Sequence, residues 1–304
     1  MSYTGGFKMK KFASSLLIAL LILMLSACAA TNAGPSAPAA TAADSGPSTA
    51  PNTPAAESPA ASGEAEDDLA YIKAKGELIV GITAYEPMNY KDKDGKLVGF
   101  DTEYTEALCA KLGVKPNFIF INWDTKEIEL KARTIDCIWN GLTVTEERKA
   151  NMTFTQPYLL NEQVVVIRSS NASKYTDRAS LNGVSVVAES GSAGEAAIKA
   201  DLSGAVYTAV DSQAKALLEV KAGTAEAAVI DATMATSMTG EGSDYAELIT
   251  ITSMDLTAEE YAIGLRVGST AAAEFNKITS ELLQDGTLAK IAEKYGLSQR
   301  LLTK

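Results

Sequence analysis

The sequence predicts an α/β protein of two lobes, each built on a mainly parallel sheet with helices on both faces. Three observations lead to this prediction: short β-branched runs alternate with helical patterns, the alternation occurs twice, and the folded part is long enough for two modest domains. About 236 residues (304 minus 68) remain once the front of the chain is set aside. Strands and helices in this order form parallel sheets with right-handed crossovers.

The first unit has the order βαβαβ. We predict its strands at 78–83, 118–121 and 137–139, and its helices at 102–112 and 126–132. In the first helix the apolar side chains recur at helical spacing, so that one side of it is predicted to pack against the sheet.

The second unit repeats this pattern. We predict strands at 164–167, 184–187, 205–207 and 227–230, helices at 192–200 and 213–222, a further strand at 261–266, and closing helices at 272–284 and 287–295. The last helix is ended by Gly296. Ligands of open α/β sheets bind beyond the carboxyl ends of the strands, so two facing units are expected to share one cleft.

The front of the chain has the pattern of a targeting segment. Lys8, Lys10 and Lys11 precede an apolar run that reaches Ala27 in about 16 residues, short of the roughly 20 that span a bilayer. We therefore predict a cleaved signal peptide at 1–27. Its end, Leu-Ser-Ala-Cys, resembles the lipobox of bacterial lipoproteins, which implies that Cys28 carries a lipid anchor on the extracytoplasmic side of the cell membrane. An ordinary signal peptide with an incidental cysteine is the alternative.

Residues 28–68 contain almost no large apolar side chain and are rich in Ala, Pro, Ser and Thr. Such a segment cannot bury a core, so we predict a disordered linker that tethers the folded part to the membrane.

Composition excludes several classes of function. The net charge of −11 becomes −14 when the three lysines of the signal peptide are removed, which argues against a nucleic-acid partner. The chain has no histidine, so Ser-His-Asp and Cys-His catalysis and His-ligated metal sites are excluded. No CxxC pair exists either, and we expect no metal and no cofactor.

Two cysteines follow Cys28. Cys109 lies on the packing side of the first helix, and Cys137 lies in an adjacent strand. They form a disulfide, which an extracytoplasmic compartment favours, or they are two buried free thiols. The sequence leaves both alternatives open.

An ordered series of segments resembles the amino-acid class of periplasmic binding proteins, solute-binding family 3, over roughly residues 75–297. The longest reads Ile-Asp-Cys-Ile-Trp-Asn-Gly-Leu-Thr-Val-Thr-Glu-Glu-Arg at 135–148. The others lie at 81–87, 94–101, 122–124, 154–158, 189–195, 228–231, 260–266 and 285–287.

The resemblance implies a type II periplasmic-binding-protein fold. Its first lobe would comprise 69–162 and 257–304, its second lobe 163–256, with crossings near 158–162 and 257–261. It also implies a monomeric substrate-binding component of an ABC importer, which binds a free amino acid in the cleft and delivers it to the permease subunits.

The resemblance assigns the ligand's α-carboxylate to the first lobe. Arg148 matches the family arginine that binds this carboxylate through two hydrogen bonds, a role in which lysine is a poor substitute. Asn140, Gly141 and Thr143 follow the 137–139 strand and are expected to assist. The alternatives are a solvated charge for Arg148, and a strand-to-helix turn in which Thr143 and Glu146 form a capping box.

The second lobe is expected to complete the site. Ser192 and Ala193 begin a helix, whose amino end attracts anions, and Ser192 has capping-box spacing to Glu195. Asp231 matches the acid that holds the ligand's α-ammonium group; a helix N-cap is the alternative.

Side-chain recognition is expected from three further residues. Tyr85 and Trp123 match the aromatic positions that sandwich the ligand's side chain, although aromatic residues at strand ends are otherwise mostly core. A common family acid just before Tyr85 is absent, and Glu189 stands in the loop of the second lobe. Glu189 is predicted to favour a polar or cationic ligand side chain, unless it points to solvent.

Two rival functions remain beside amino-acid binding for transport. One is an enzyme on the same fold, such as the cyclohexadienyl dehydratase relatives of these binding proteins. The other is a surface lipoprotein that signals or adheres without transport.

Overall fold

A computed structural model describes residues 67–254 and 256–303. The predicted signal peptide, the lipidation of Cys28 and nearly all of the predicted linker lie outside the described residues. Within the described ranges, no helix is both long enough and apolar enough to cross a membrane.

The elements alternate as the sequence predicts. The helices are α1 Asp68–Lys75, α2 Phe100–Leu112, α3 Lys126–Lys131, α4 Glu146–Asn151, α5 Ala193–Asp201, α6 Gln213–Ala222, α7 Ala232–Met238, α8 Ala271–Gln284 and α9 Thr287–Lys294. The strands are β1 Glu77–Ile82, β2 Tyr90–Lys91, β3 Leu97–Val98, β4 Lys115–Phe120, β5 Cys137–Ile138, β6 Thr153–Phe154, β7 Leu159–Arg168, β8 Ser185–Glu189, β9 Val206–Val210, β10 Ala227–Asp231, β11 Leu248–Ile251, β12 Ala258–Tyr261 and β13 Gly264–Leu265. Helices α1, α4 and α7 were not predicted from the sequence.

The first sheet has the strand order β4-β1-β5-β13-β6. Strand β1 is parallel to β4 and β5, and β13 is antiparallel to β5 and β6, so four of the five strands share one direction. Side chains of β1 and α2, such as Val80 and Leu108, form one core with α8, while Ile138 of β5 packs with Leu130 of α3 in another cluster. We call the part of the chain built on this sheet the first lobe.

The second sheet has the order β11-β7-β10-β8-β9. Strands β8, β9 and β10 are parallel, and β7 is antiparallel to β10 and β11. Alternate residues of β10 face opposite sides: Val229 packs with Ile198 of α5, and Ile230 packs in the core that includes Leu217 of α6. Helices therefore cover both faces of this second lobe, and the predicted fold class is confirmed.

Strand β7 passes from one lobe to the other. Its residues 159–162 pair with β12, and residues 163–168 pair with β10 and β11. Strand β7 thus changes partner between residues 162 and 163, and β12 begins at Ala258. The lobe boundaries after residues 162 and 256 stay predictions. The two crossing segments thus form an antiparallel ribbon beside the cleft.

Cys109 and Cys137 are both free thiols in the structure, and both are fully buried. The structure therefore contains the two thiols and not the disulfide. Burial raises the pKa of Cys109 to about 12 and raises the pKa of Cys137 well above its ordinary value. The two side chains pack as small apolar groups in the core of the first lobe.

We expect each of these cysteines to be alkylated when the protein is denatured without reductant. Peptide mass mapping of Cys109 and Cys137 measures this directly. A single pair of linked peptides, two hydrogens lighter than the sum of the two free peptides, would contradict the buried-thiol assignment.

Candidate functional site

The carboxyl ends of β1, β5, β8 and β10 surround one small pocket. Its lining comprises Thr83, Tyr85, Trp123, Asn140, Gly141, Thr143, Arg148, Glu189, Ser192, Ala193, Gln213 and Asp231. The structure therefore brings together all ten residues that were predicted from the sequence to bind the ligand. Thr83 and Gln213 line the pocket as well.

Arg148 is buried, with only 7% of its surface exposed, which contradicts the solvated-charge alternative. It lies in the first turn of α4, where its N–H donates to the hydroxyl of Thr145 at 3.1 Å. Thr145, and not Thr143, is therefore the helix cap, and the capping-box alternative for Thr143 is wrong. The guanidinium donates through Nη1 to the Thr143 carbonyl (2.8 Å) and through Nη2 to the Gly191 carbonyl of the second lobe (3.0 Å). Burial lowers the pKa of Arg148 from its ordinary value.

The turn after β5 shapes the first wall. Gly141 has φ +59°, and a Cβ atom there would lie 2.6 Å from the ring of Tyr85, so only glycine fits. Its N–H donates to the Asp101 carboxylate at 2.8 Å and is not free for a ligand. Asn140 accepts from both the N–H (3.1 Å) and the hydroxyl (2.6 Å) of Thr83, so it holds the end of β1.

Thr143 differs from its two neighbours in the turn. Its hydroxyl donates to the carboxylate of Glu259 in β12, across the crossing ribbon. Its N–H donates to none of the residues that the structure describes. That N–H remains a donor for a ligand at the pocket wall.

Asp231 ends β10 with 5% of its surface exposed. Asp231 is the N-cap residue of α7 by position, but its side chain makes no capping hydrogen bond. The carboxylate accepts from the amides of Asn161 (2.8 Å), Gln163 (2.6 Å) and Gln213. Burial raises the pKa of Asp231, and these amide donors oppose the rise.

Glu189 ends β8 and has 3% of its surface exposed, so the solvent-pointing alternative is wrong. None of the described residues forms a hydrogen bond with its Oε1 atom. Burial, with the negative charge of Asp231, raises the pKa of Glu189 to about 8. A buried carboxyl oxygen without a donor in the protein is a polar group that a ligand can satisfy.

Of the aromatic residues at the strand ends, two line the pocket and one lies in the core. Tyr85 lines the pocket and shares a hydrogen bond with Tyr261 between their hydroxyl oxygens at 2.7 Å. Trp123 begins a short 3-10 turn after β4 and also lines the pocket. Trp139 is fully buried and contacts Tyr104 edge to face, 4.6 Å between ring centroids, so it belongs to the core.

Helix α5 begins at the pocket. The Ser192 hydroxyl accepts from the Glu195 N–H at 3.2 Å, so Ser192 is the N-cap. Glu195 accepts from the Gly191 N–H at 2.6 Å rather than from that of Ser192, so the predicted capping box is not closed. The Ala193 N–H, at the amino end of the helix, has no acceptor among the described residues.

Sequence reasoning missed two charged residues of the site. Lys126 is 4% exposed, and burial followed by the charge of Arg148 lowers its pKa to about 8. Glu259, in the crossing ribbon, has its pKa raised to about 7 by burial and by Asp231. Lys126 resembles an ordinary helix-start lysine in sequence. For Glu259, the available signal was the acidic pair 259–260 within the second crossing segment.

The amide donors around Asp231 were also missed. Asn161 and Gln163 are polar positions at the front of an otherwise apolar strand, and that interruption was a usable signal. Gln213 is the first residue of α6, far along the chain, and no sequence signal marked it as a partner of Asp231. In the part of the chain that the structure describes, no group of three or more His, Cys, Asp or Glu side chains is placed to hold a metal ion.

The profile of the bacterial extracellular solute-binding proteins, family 3, matches residues 78–298. The chain belongs to this family. The match covers both lobes of the solute-binding protein, including every residue that lines the pocket.

Curated relatives of this solute-binding protein include two with named ligands. It is 25% identical over 226 residues to the L-cystine-binding protein TcyJ of Escherichia coli (strain K12), covering 74% of this chain and 84% of the relative. It is 31% identical over 224 residues to the L-arginine-binding protein of Pseudomonas aeruginosa, covering 71% and 86%.

Solved structures agree with the fold. A Streptococcus pneumoniae ABC uptake transporter substrate binding protein with bound histidine superposes with a TM-score of 0.70 at 28% identity, covering 76% of this chain and 97% of that one. The ancestral amino acid-binding protein AncCDT-1, a precursor of cyclohexadienyl dehydratase, gives 0.68 at 32% identity, covering 75% and 98%.

Proposed function

We propose that this solute-binding protein is the extracytoplasmic substrate-binding component of an ABC importer, that it binds a free amino acid between its lobes, and that it delivers it to permease subunits. The observation that carries the proposal is the pairing of a buried guanidinium, Arg148, with a buried carboxylate, Asp231, in one small pocket. The carboxylate and the ammonium group of a zwitterionic amino acid need these two opposite charges.

Each group of the ligand has a proposed partner. The α-carboxylate is bound by Arg148, the Thr143 N–H and the amino end of α5 at Ser192 and Ala193. The α-ammonium is bound by Asp231, and the side chain lies between Tyr85 and Trp123. Asn140 and Gly141 support the site through Thr83 and Asp101 and are proposed to shape it rather than to contact the ligand.

Closure is proposed to occur about the crossing ribbon. The first lobe, 69–162 and 257–304, and the second lobe, 163–256, meet at β7 and β12. Arg148 belongs to the first lobe and Asp231 to the second, so one ligand bridges both and favours the closed form.

We further propose that the ligand's side chain is cationic. Arg148 and Asp231 match the two backbone charges of an amino acid, which leaves the Glu189 carboxyl without a partner. A cationic side chain supplies both the charge and the donors that Glu189 lacks. Relatives named as arginine-binding and as lysine/arginine/ornithine-binding proteins support this choice.

Binding of L-arginine near neutral pH is expected to release a proton from Glu189. The ligand-free pKa is about 8, and a bound guanidinium lowers it. Between these two pKa values the free protein holds the proton and the complex does not, so affinity rises with pH up to about 8, by at most about tenfold per pH unit. Calorimetry at about pH 7 in buffers of different ionisation enthalpy measures the proton release.

The Glu189→Gln variant is the matched control for this experiment, because it keeps the shape and removes the titrating group. Glu259 and Lys126 titrate in a similar range, so the decisive quantity is the difference between the two proteins. Equal proton release in both would show that Glu189 does not face the ligand's charge.

A thermal-shift screen against the common amino acids, including cystine, tests the proposed function. A ligand that binds only the folded protein raises its stability by RT ln(1 + [L]/Kd), or about 2.7 kcal/mol at a hundredfold excess over Kd. We expect L-arginine, L-lysine or L-ornithine to give the largest shift. No shift with any amino acid would reject the function, and a preference for Leu, Val or Phe would reject the role of Glu189.

An enzyme is the second candidate, because AncCDT-1 is a precursor of a dehydratase. We propose that this chain binds without chemistry: the amino acid recovered after incubation should be unchanged. We also propose that lipid on Cys28 and the linker at 28–68 anchor the protein outside the cell membrane, with a signal peptide at 1–27 removed. The mass of the mature amino-terminal peptide tests that anchor.

A further inference from the structure

Lys126 is a buried lysine at the entrance of the pocket. It starts α3, and its ammonium donates to the Trp123 carbonyl at 3.1 Å and to the Gly191 carbonyl at 3.0 Å. The same ammonium lies 4.9 Å from the centre of the Trp123 ring. Among the described residues, no carboxylate lies within ion-pair distance of it. Its partners are therefore one group in the first lobe and one in the second.

The Gly191 carbonyl is a shared acceptor. Nη2 of Arg148 donates to it at 3.0 Å, so two cations of the first lobe hold one carbonyl oxygen of the second lobe. The peptide group that contains this carbonyl is held from its own lobe, because the Ser192 N–H donates to the Glu189 carbonyl at 3.2 Å. A carbonyl oxygen with two lone pairs accepts two such donors.

The approach of the lobes at this point requires glycine. Gly191 has φ +68°, and a Cβ atom there would lie 3.0 Å from Oδ1 of Asp124 in the first lobe. An outer cleft lined by Lys126, Arg148 and Gly191 among others adjoins the contact. Arg148, Ser192 and Ala193 line both the inner pocket and the outer cleft, so the contact lies beside both.

We propose that Lys126 is a positioning residue that latches the second lobe onto the first through the Gly191 carbonyl and so sets the lifetime of the bound amino acid. The inference rests on the proposed amino-acid binding. Opening the cleft breaks the bond from Lys126 to Gly191, while the bond to Trp123 within the first lobe persists. Lys126 contributes to the closed form and not to the first encounter with the ligand.

A latch can be distinguished from a structural support. Burial lowers the pKa of Lys126 to about 8, so the buried ammonium is not itself stabilising in this environment. Replacing a buried charge by an apolar side chain of similar length is often neutral or stabilising. The ligand-free Lys126→Met variant is therefore expected to melt at the same temperature as the unchanged protein, or higher.

The test is the dissociation rate of L-[³H]arginine chased with unlabelled L-arginine. Loss of one lobe-to-lobe hydrogen bond predicts dissociation about 2- to 10-fold faster in Lys126→Met, with the association rate unchanged within about twofold. Lys199→Met is the matched control, since Lys199 lines the same outer cleft but pairs with Glu195 of its own helix. Lys126→Gln, a second uncharged variant, covers the case in which Lys126→Met does not fold.

The outcomes separate the two proposals. Unchanged dissociation in both Lys126 variants, or a loss of affinity that lies in the association rate, would overturn the latch. A lower melting temperature of the ligand-free variants would assign Lys126 a purely structural role and would equally overturn it. Failure of the unchanged protein to retain L-arginine or any amino acid of the screen would instead reject the proposed function.

Discussion

Replacing Arg148 with alanine is expected to lower the affinity for the amino acid by about 30- to 3000-fold. The ligand's carboxylate would remain in a buried pocket without its cation, and truncating one partner of a buried charge pair costs about 2 to 5 kcal/mol. Arg148→Lys should recover only part of the affinity. A lysine ammonium lacks the planar guanidinium that can hydrogen-bond a carboxylate and two backbone carbonyls at once. Calorimetry with the best amino acid of the screen measures both variants.

Lys149→Ala is the matched control for Arg148. It removes the neighbouring cation of the same helix, but Lys149 is exposed and pairs only with Glu146 among the described residues. Its affinity should equal that of the unchanged protein, because exposed ion pairs contribute little. Near-native affinity in Arg148→Ala would show that the ligand's carboxylate binds elsewhere.

The Asp231→Asn variant is expected to lose a similar factor, about 30- to 3000-fold, because the α-ammonium group then has no counter-charge in the second lobe. Unlike Arg148, Asp231 is also the common acceptor of three amides, those of Asn161, Gln163 and Gln213. The amide of the new asparagine offers one acceptor oxygen, so at least one buried donor loses its partner. The free energy of unfolding without ligand should fall by about 1 to 3 kcal/mol.

Asp211→Asn provides the comparison, since Asp211 also follows a strand of the second lobe but is exposed. Neither its affinity nor its melting temperature should change measurably. An Asp231→Asn variant with near-native affinity would show that Asp231 is only the acceptor of its amide neighbours and not the partner of the ligand's ammonium group.

The residues that could be assigned to the site from the sequence share one property: each lies in or beside a short motif at a strand end. Asn140, Thr143 and Arg148 follow β5, Glu189 ends β8 and Asp231 ends β10. Strands of a parallel sheet have their carboxyl ends at one edge, which predicts a cleft there, and the family resemblance then assigned the individual residues to the ligand. Their placement in one pocket needed no knowledge of side-chain orientation.

The residues that were missed depend on contacts between distant segments. Gln213 reaches Asp231 from the start of another helix, and Lys126 meets Gly191, 65 positions away, across the cleft. A lysine followed by glutamate in an amphipathic helix has the pattern of a solvated face, and nothing local distinguishes it from one that is buried. Burial of that kind is decided by which surface of the other lobe lies opposite.

The sequence by itself determined the α/β class, the two units, the family resemblance and the positions that could bind a zwitterion, because these follow from local periodicity and from motifs that are short in sequence. Only the tertiary structure decided between the alternatives for individual side chains. Thr145 rather than Thr143 caps α4, the two cysteines are buried thiols, and Glu189 faces the pocket without a partner. The reason is physical: charge state, hydrogen bonding and reactivity depend on burial, and burial is set by the packing of segments that are far apart in the chain.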